Sequence, residues 1–162
     1  MQFNNQKGVV AVEMALVLIP MLLLCFGITE LGRALYQYNG LVKGARGAAR
    51  YLSQQSLASP PAGETADSIR LKAKSLALCG AYDCSNTAPL VTGLTMAMLS
   101  VCDPVSCVAT HSNVPTGEGT TSLVSVTIGA GDNQFDFTSI VPWVVPDMTF
   151  SPISITMASS TN

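Results

Sequence analysis

An apolar run near the N-terminus, which contains a single acid, constrains this chain more than any other feature. From Val9 to Ile28 the sequence reads VVAVEMALVLIPMLLLCFGI, which is 20 residues. At about 1.5 Å of rise per residue, a helix of this length spans about 30 Å, the thickness of a bilayer core. Glu13 lies inside the run, and an ionised carboxylate there costs roughly 2.5 to 3.5 kcal/mol on insertion scales. The sequence therefore predicts a membrane-spanning helix in which Glu13 has a partner.

The residues around the run do not fit the ordinary cleaved export signals. A secretory signal has an apolar stretch of about 7 to 15 residues and then a small-x-small cleavage site, whereas this run is longer and ends in C-F-G. A lipoprotein signal requires a small residue before the modified cysteine, but Leu24 precedes Cys25. The remaining interpretation places the cut after Gly8. That cut removes a hydrophilic leader, residues 1–8, and makes Val9 the new N-terminus.

This arrangement resembles the class III signal of type IV pilins. In that family the peptidase cuts after a glycine preceded by basic or polar residues, and the fifth mature residue is a glutamate, positions matched here by Gly8, Val9 and Glu13. The stretch from Val9 to Gln54 is also similar to the N-terminal module of the TadE-like family of tight-adherence (Flp) pilus proteins. The matching features are the A-V-E start, the proline in the apolar run, the E-L-G-R-A-L-Y block and the A-A-R-Y end.

The resemblance implies a non-enzymatic minor pilin or pseudopilin of the tight-adherence type IV pilus. Its implied partners are a prepilin peptidase, other pilins, an inner-membrane assembly platform and the lipid bilayer. Val9, Glu13 and Pro20 are the implied assembly residues, because cleavage creates an amine on Val9 one helical turn from Glu13. That amine pairs either with Glu13 of a neighbouring chain, which fixes one axial offset, or with Glu13 of its own chain. The alternative function is an uncleaved, single-pass anchor for a periplasmic binding or adhesion domain.

Apolar residues beyond the run keep the three-four spacing of one helix face, which predicts a single helix from Val9 to about Gln55. Pro20 removes a helical hydrogen bond and predicts a kink near Leu16 and Val17. The residues of the predicted face are Leu31, Ala34, Leu35, Tyr38, Leu41, Val42, Ala45, Ala48, Ala49 and Leu52, whereas Arg33, Lys43, Arg46 and Arg50 fall mainly on other faces.

The remainder of the chain reads as a loop, a short helix and then strands. The loop is SLASPPAGET, and the helix that follows is capped by Thr65 or Asp67 and ends near Leu78. Period-two alternation is clearest over residues 124–128 and 153–157, with further candidate strands at 94–101 and 134–140 and a hairpin turn at 129–133. The expected fold is α+β: a long helix packed on a small antiparallel sheet, with a second short helix.

These patterns divide the chain into a leader at 1–8, a membrane helix at 9–28 and its amphipathic continuation at 29–55. An extracytoplasmic domain, β-rich after about residue 90, covers 56–162.

Cysteine spacing favours disulfides over a metal site. Cys79 and Cys84, and likewise Cys102 and Cys107, are separated by four residues, a looser spacing than in zinc sites, and His111 is the only histidine. Three pairings of these four cysteines are possible, and two local loops are the simplest. His111 lies in a polar stretch without a catalytic motif around it, so neither a metal, a cofactor nor an enzymatic activity is expected.

Two observations bear on location and partners. The positive-inside rule favours a cytoplasmic C-terminal side, because Arg33, Lys43 and Arg46 follow the run and only Lys7 precedes it. The cysteine pairs and the resemblance to exported pilins favour the opposite, a domain outside the inner membrane. Residues 1–74 sum to +4 and the rest to −6, but no nucleic-acid reader motif accompanies the basic half, so no nucleic-acid partner is expected.

The segment Val141 to Pro146 carries the only tryptophan, Trp143, between two prolines and without charge. It is either an exposed contact or a plug at the end of the sheet.

Overall fold

The first helix, α1, runs from Gln6 to Ser53 as one continuous element of 48 residues. The computed structural model describes residues 6–117 and 119–159, so the first five residues of the predicted leader lie outside the described residues. The helix continues through Pro20 and ends two residues before the predicted end at Gln55. The prediction of a single long helix is therefore confirmed, whereas a kink at Pro20 stays a prediction.

The chain forms two compact units, and their boundary falls within α1. The helix unit runs through Tyr36 and includes Phe137–Met148, and the core unit consists of Gln37–Asp136 together with the chain from Thr149.

The core unit contains the second helix and most of the strands. Helix α2 spans Ala66–Cys79. A 3-10 turn at Met96–Met98 leads into β1, Leu99–Cys102, and a short helix α3 covers Val108–His111. The strands that follow are β2 Val114–Thr116, β3 Gly119–Thr121, β4 Leu123–Ile128, β5 Phe135–Phe137, β6 Met148–Phe150 and β7 Ile153–Ala158.

The main sheet is antiparallel with strand order β1-β4-β7, and two smaller pairs, β2-β3 and β5-β6, accompany it. In the central strand, Val126 lies opposite Val101 on one side and Ile155 on the other. The apolar residues of the predicted alternation in β4, Val124, Val126 and Ile128, are all buried, and so is Ser125 between the first two. The α+β class with small antiparallel sheets is confirmed.

Three details of the strand prediction are wrong. The candidate at 94–101 contains the 3-10 turn at Met96–Met98 and becomes a strand only at Leu99. The candidate at 134–140 is a strand only over β5. The glycine-rich turn at 129–133 does not close a hairpin, because β4 pairs with β1 and β7 while β5 pairs with β6. His111, in its polar stretch, ends the short helix α3.

The hydrophobic core joins the second half of α1 to α2 and the sheet. Alanines on α1 let the other elements approach closely, and Gly44 allows the closest contact: a Cβ on Gly44 would lie 2.6 Å from the carbonyl oxygen of Ala77 on α2. The buried residues of α1 in this core are Leu41, Ala45, Ala48, Ala49 and Leu52, and those of α2 are Ile69, Ala73 and Ala77. The predicted apolar face is thus correct from Leu41 onward.

Candidate functional site

The first part of α1 presents apolar side chains that the chain itself does not cover. Every residue from Gly8 to Phe26 is exposed, and the helix is long and apolar enough to cross a membrane. A continuous apolar surface of this kind marks a site of contact with lipid or with other helices. It suggests a single-pass membrane anchor.

The sequence-predicted assembly residues lie along one face of this helix. Val9 and Glu13 are one turn apart, and Pro20 follows Glu13 by seven residues, so at about 100° per residue all three fall within about 40° around the helix axis. Gly8 directly precedes Val9. Glu13 is exposed and has no ion pair or hydrogen bond to any side chain that the structure describes. The face therefore combines an apolar surface with one available carboxylate.

A second acid, Glu30, is buried immediately after the apolar run, with a side chain only 5% exposed. Arg33 donates from Nη2 to Glu30 Oε2 at 2.8 Å, and the backbone N–H of Ile140 donates to Glu30 Oε1 at 3.2 Å. Arg33 also donates to the carbonyl of Thr138 and lies 4.2 Å from the centroid of the Phe137 ring. This cluster, called here the Glu30–Arg33 clamp, ties residues 137–140 to α1.

Sequence reasoning was only partly right about this part of the helix face. Ala34 is buried as predicted, but Leu31 and Leu35, which were expected on the same face, are 54% and 55% exposed. Glu30, which was not expected there, is buried. Hydropathy predicts that an acid such as Glu30 is exposed. The hydrogen bond that stabilises buried Glu30 comes from Ile140, 110 positions away, so no local pattern could indicate this bond. The available signal was local: an acid and an arginine at i and i+3 directly after the run.

The loop held by the Glu30–Arg33 clamp carries the only tryptophan of the chain. Within the helix unit, a methyl group built on Gly27 would lie 3.6 Å from Val144 Cγ1, so the loop reaches the last turn of the apolar run. Trp143 is 70% exposed and Ile140 is 75% exposed. These exposures agree with the first of the two interpretations of this segment, an exposed contact.

Both cysteine pairs form local disulfides in the core unit, Cys79–Cys84 and Cys102–Cys107. Cys25 is free and exposed on α1. His111 lies near the second disulfide, but disulfide sulfurs are not the thiolates that metals bind. Instead, His111 Nε2 lies 2.8 Å from Ser125 Oγ, so it contacts the central strand.

A buried carboxylate organises the loop that the second disulfide closes. Asp103 accepts hydrogen bonds from Arg70 on α2 and from the backbone and hydroxyl of Ser106. Burial by itself raises the pKa of Asp103, but these hydrogen bonds outweigh burial and lower its pKa from 3.8 to about 2. The group is a structural ion pair, and it lies in the core unit rather than on the exposed apolar helix.

Comparison with known proteins bears on the helix alone. Residues 8–50 match the family model described as TadE-like protein. No curated protein and no solved structure matches the chain. The matched residues begin at the predicted cleavage glycine and include Glu13, Pro20 and the Glu30–Arg33 pair. The sequence-based recognition is confirmed for this segment: residues 8–50 are similar to the TadE-like family.

Proposed function

We propose that this chain is a minor pilin or pseudopilin, without enzymatic activity, which is processed after Gly8 and incorporated into a tight-adherence pilus for surface attachment. One observation carries the proposal: the TadE-like segment is an exposed apolar helix with Val9, Glu13 and Pro20 on one face. Lipid covers such a helix before assembly, and the helices of other pilins cover it afterwards. A subunit that moves from a membrane into a filament requires a helix surface that can contact lipid first and other helices later.

Glu13 has a defined role in this proposal. A carboxylate in hydrocarbon is destabilised by roughly 2.5 to 3.5 kcal/mol unless it has a partner, and Glu13 is exposed on its helix. Cleavage after Gly8 converts the Val9 amide nitrogen into a cationic amine. If this amine pairs with Glu13 of the next chain, the pair forms at one axial offset only, and it selects the register of the assembled helices.

Pro20 contributes by weakening the helix locally. It has no N–H, so the carbonyl of Leu16 loses its partner four residues on, and the helix bends more readily there. In the proposal this bend eases the passage of the helix from the bilayer to the filament.

The proposed location is the inner membrane, with the C-terminal side outside the cytoplasm. The two disulfides of the core unit support it, because disulfides persist in oxidising compartments. The partners follow from the pathway: a prepilin peptidase, an assembly platform in the inner membrane and the other pilins.

Processing is tested by co-expression with a prepilin peptidase and mass spectrometry of the intact chain. The chain should begin at Val9, and the Gly8→Ala variant should keep its leader. Gly32→Ala is the matched control, because nothing lies within 4 Å of a Cβ at Gly32, and it should be processed normally. A chain that still begins at Met1 under these conditions would refute the proposed pilin and favour the uncleaved anchor.

Assembly is tested separately with Glu13→Gln, which keeps the size of the side chain and removes its charge. This variant should be processed to Val9 but recovered in sheared filaments in smaller amounts than the wild-type chain. Glu13→Asp keeps the charge and should retain part of the incorporation. Equal recovery of the Gln variant and the wild-type chain would contradict the role of the charge pair.

A further inference from the structure

We propose that the loop Ile140–Pro146 is a second membrane contact, which inserts Ile140 and Trp143 into the interfacial region of the bilayer beside the end of the transmembrane helix. The inference rests on the proposed membrane insertion of α1 and adds a contact that the helix itself does not supply. Every residue that carries it lies in the helix unit.

Two contacts set the level of the loop along α1, one between Val144 and Gly27 and one between Ile140 and Glu30. Val144 lies beside Gly27, which is one residue, or about 1.5 Å of helix rise, inside the end of the apolar run at Ile28. The N–H of Ile140 is bonded to Glu30, two residues beyond that end. If the run spans the hydrocarbon, the loop lies where hydrocarbon meets headgroups.

The side chains of the loop fit this level. Ile140 and Trp143 are 75% and 70% exposed, and no residue from Thr138 to Pro146 is charged. Tryptophan is enriched at membrane interfaces, because its ring is apolar while its indole N–H needs a polar partner. An exposed isoleucine and tryptophan, on a stretch with no charged residue of its own, are poorly placed in water and well placed in this zone.

The backbone N–H groups of the loop, apart from that of Trp143, have partners within the helix unit, which suits a region poor in water. An N–H group without a partner is costly in such a region. Here the N–H groups of Val144 and Val145 donate to the carbonyl of Val141, and the N–H of Val141 donates to Ser139 Oγ. Glu30 satisfies the N–H of Ile140, Asp147 satisfies that of Ser139, and the two prolines have none.

A bilayer is a better match for the exposed pair than a neighbouring protein chain, because the loop reaches the apolar part of α1 that the proposed function places in lipid. The apolar contact of the loop adds to the anchoring by α1 until the helix leaves the membrane.

The test uses the fluorescence of Trp143, which is the only tryptophan, in the full chain. The chain is placed in lipid nanodiscs at one copy per disc, with bromine quenchers either just below the headgroups or at the ends of the acyl chains. We expect emission shifted to shorter wavelength than in water, a larger loss of intensity with the shallow bromines than with the deep ones, and weak quenching by acrylamide from the aqueous side.

A second variant reports on the helix. In Trp143→Phe/Leu22→Trp the only tryptophan lies within the apolar run, and the deep bromines should quench it more than the shallow ones. If this tryptophan is not quenched by lipid, the membrane span fails and the loop contact fails with it. If it is quenched but Trp143 in the wild-type chain is quenched only by acrylamide, the loop contact alone is refuted.

Copy number separates lipid from a second chain. Shielding of Trp143 from acrylamide that appears only in discs holding several copies would also overturn the proposal, because it would identify a neighbouring chain as the partner. Ile140→Ser gives a further check, because loss of this apolar side chain should shift Trp143 emission towards longer wavelength in single-copy discs. An unchanged spectrum in that variant would show that the two side chains do not insert together.

Discussion

Asp103 shows how one side chain can order a whole loop. Its carboxylate is fully buried and bonds the loop backbone at Val105 and Ser106 as well as the guanidinium of Arg70 on α2. Removal of a buried charge from such a pair leaves the other charge without a partner, which is more damaging than loss of an exposed salt bridge. The loop between Cys102 and Cys107 is therefore held by ionic contacts as well as by its disulfide.

We expect the ionisation of Asp103 to make the core unit sensitive to acid. Its folded pKa of about 2 is below the ordinary 3.8, so its stabilisation is complete above the unfolded value and is lost as the pH falls through the folded one. The loss is about 2 kcal/mol between about pH 5 and about pH 2. Denaturant unfolding of the full chain in detergent over this range measures it.

Asp103→Asn is the control for that experiment. It should be less stable than the wild-type chain at neutral pH, and the difference between the two chains should shrink as the pH approaches the folded pKa of Asp103. A constant difference at every pH would contradict the assignment to this carboxylate.

The start of α2 offers a second test at a single residue. The sequence allowed either Thr65 or Asp67 as the cap, and the structure uses Thr65, whose hydroxyl accepts from the N–H of Ser68 at 3.1 Å while the Ser68 hydroxyl accepts from the N–H of Thr65 at 3.0 Å. Thr65→Ala should lower the free energy of unfolding by about 1 kcal/mol. Asp67→Ala should have a smaller effect, because it loses only an exposed pair with Arg70. Thermal unfolding of both variants measures which substitution destabilises the protein more.

Among the elements, the contact between α1 and α2 depends on a missing side chain. Gly44 lies against the backbone of Ala77, whereas nothing lies within 4 Å of a Cβ at Gly47, three residues later on the same helix. The two glycines have the same cost in helix propensity but different surroundings. They form a matched pair for separating packing from propensity.

Gly44→Ala should destabilise the core unit by about 2 kcal/mol, because the new methyl group forces the helices apart. Gly47→Ala should instead stabilise it by up to about 1 kcal/mol through helix propensity. The free energies come from denaturant unfolding of both variants in detergent. Stabilisation by both substitutions would show that α1 and α2 can move apart without loss of stability.

Elements with a strong local pattern could be predicted from the sequence, and those defined by distant contacts could not. Three-four spacing located α1 to within a few residues, and alternation in Val124, Val126 and Ile128 located the central strand. The 129–133 turn was misassigned because glycines indicate a turn but not which strands pair across it. Glu30 was missed for a similar reason: its burial depends on Ile140, which no local pattern connects to it.

At the scale of the whole molecule, the two disulfides close short loops in a core unit that is also stabilised by apolar packing. Each joins cysteines five positions apart, and closure of so short a loop contributes about 2 kcal/mol in the chain-entropy model. They supplement the apolar contacts between α1, α2 and the sheet.

Reduction should therefore lower the melting temperature of the full chain without unfolding it at room temperature. The cysteine state is checked by alkylation of the denatured chain: one alkyl group, on Cys25, is expected before reduction and five after it, the total number of cysteines. Loss of secondary structure at room temperature on reduction, measured by circular dichroism, would show that the disulfides and not the packing hold the core unit.

The Glu30–Arg33 clamp also has a consequence for the order of events during synthesis. Glu30 and Arg33 emerge with the apolar helix, but Ile140 and Thr138 follow 110 and 105 residues later. At about 5 to 20 residues per second, roughly 5 to 20 s pass before the ribosome has made the loop. Throughout this interval Glu30 lacks its backbone donor. Closure of the loop onto α1 thus belongs to the last stage of biogenesis, and a chain truncated before residue 138 never reaches it.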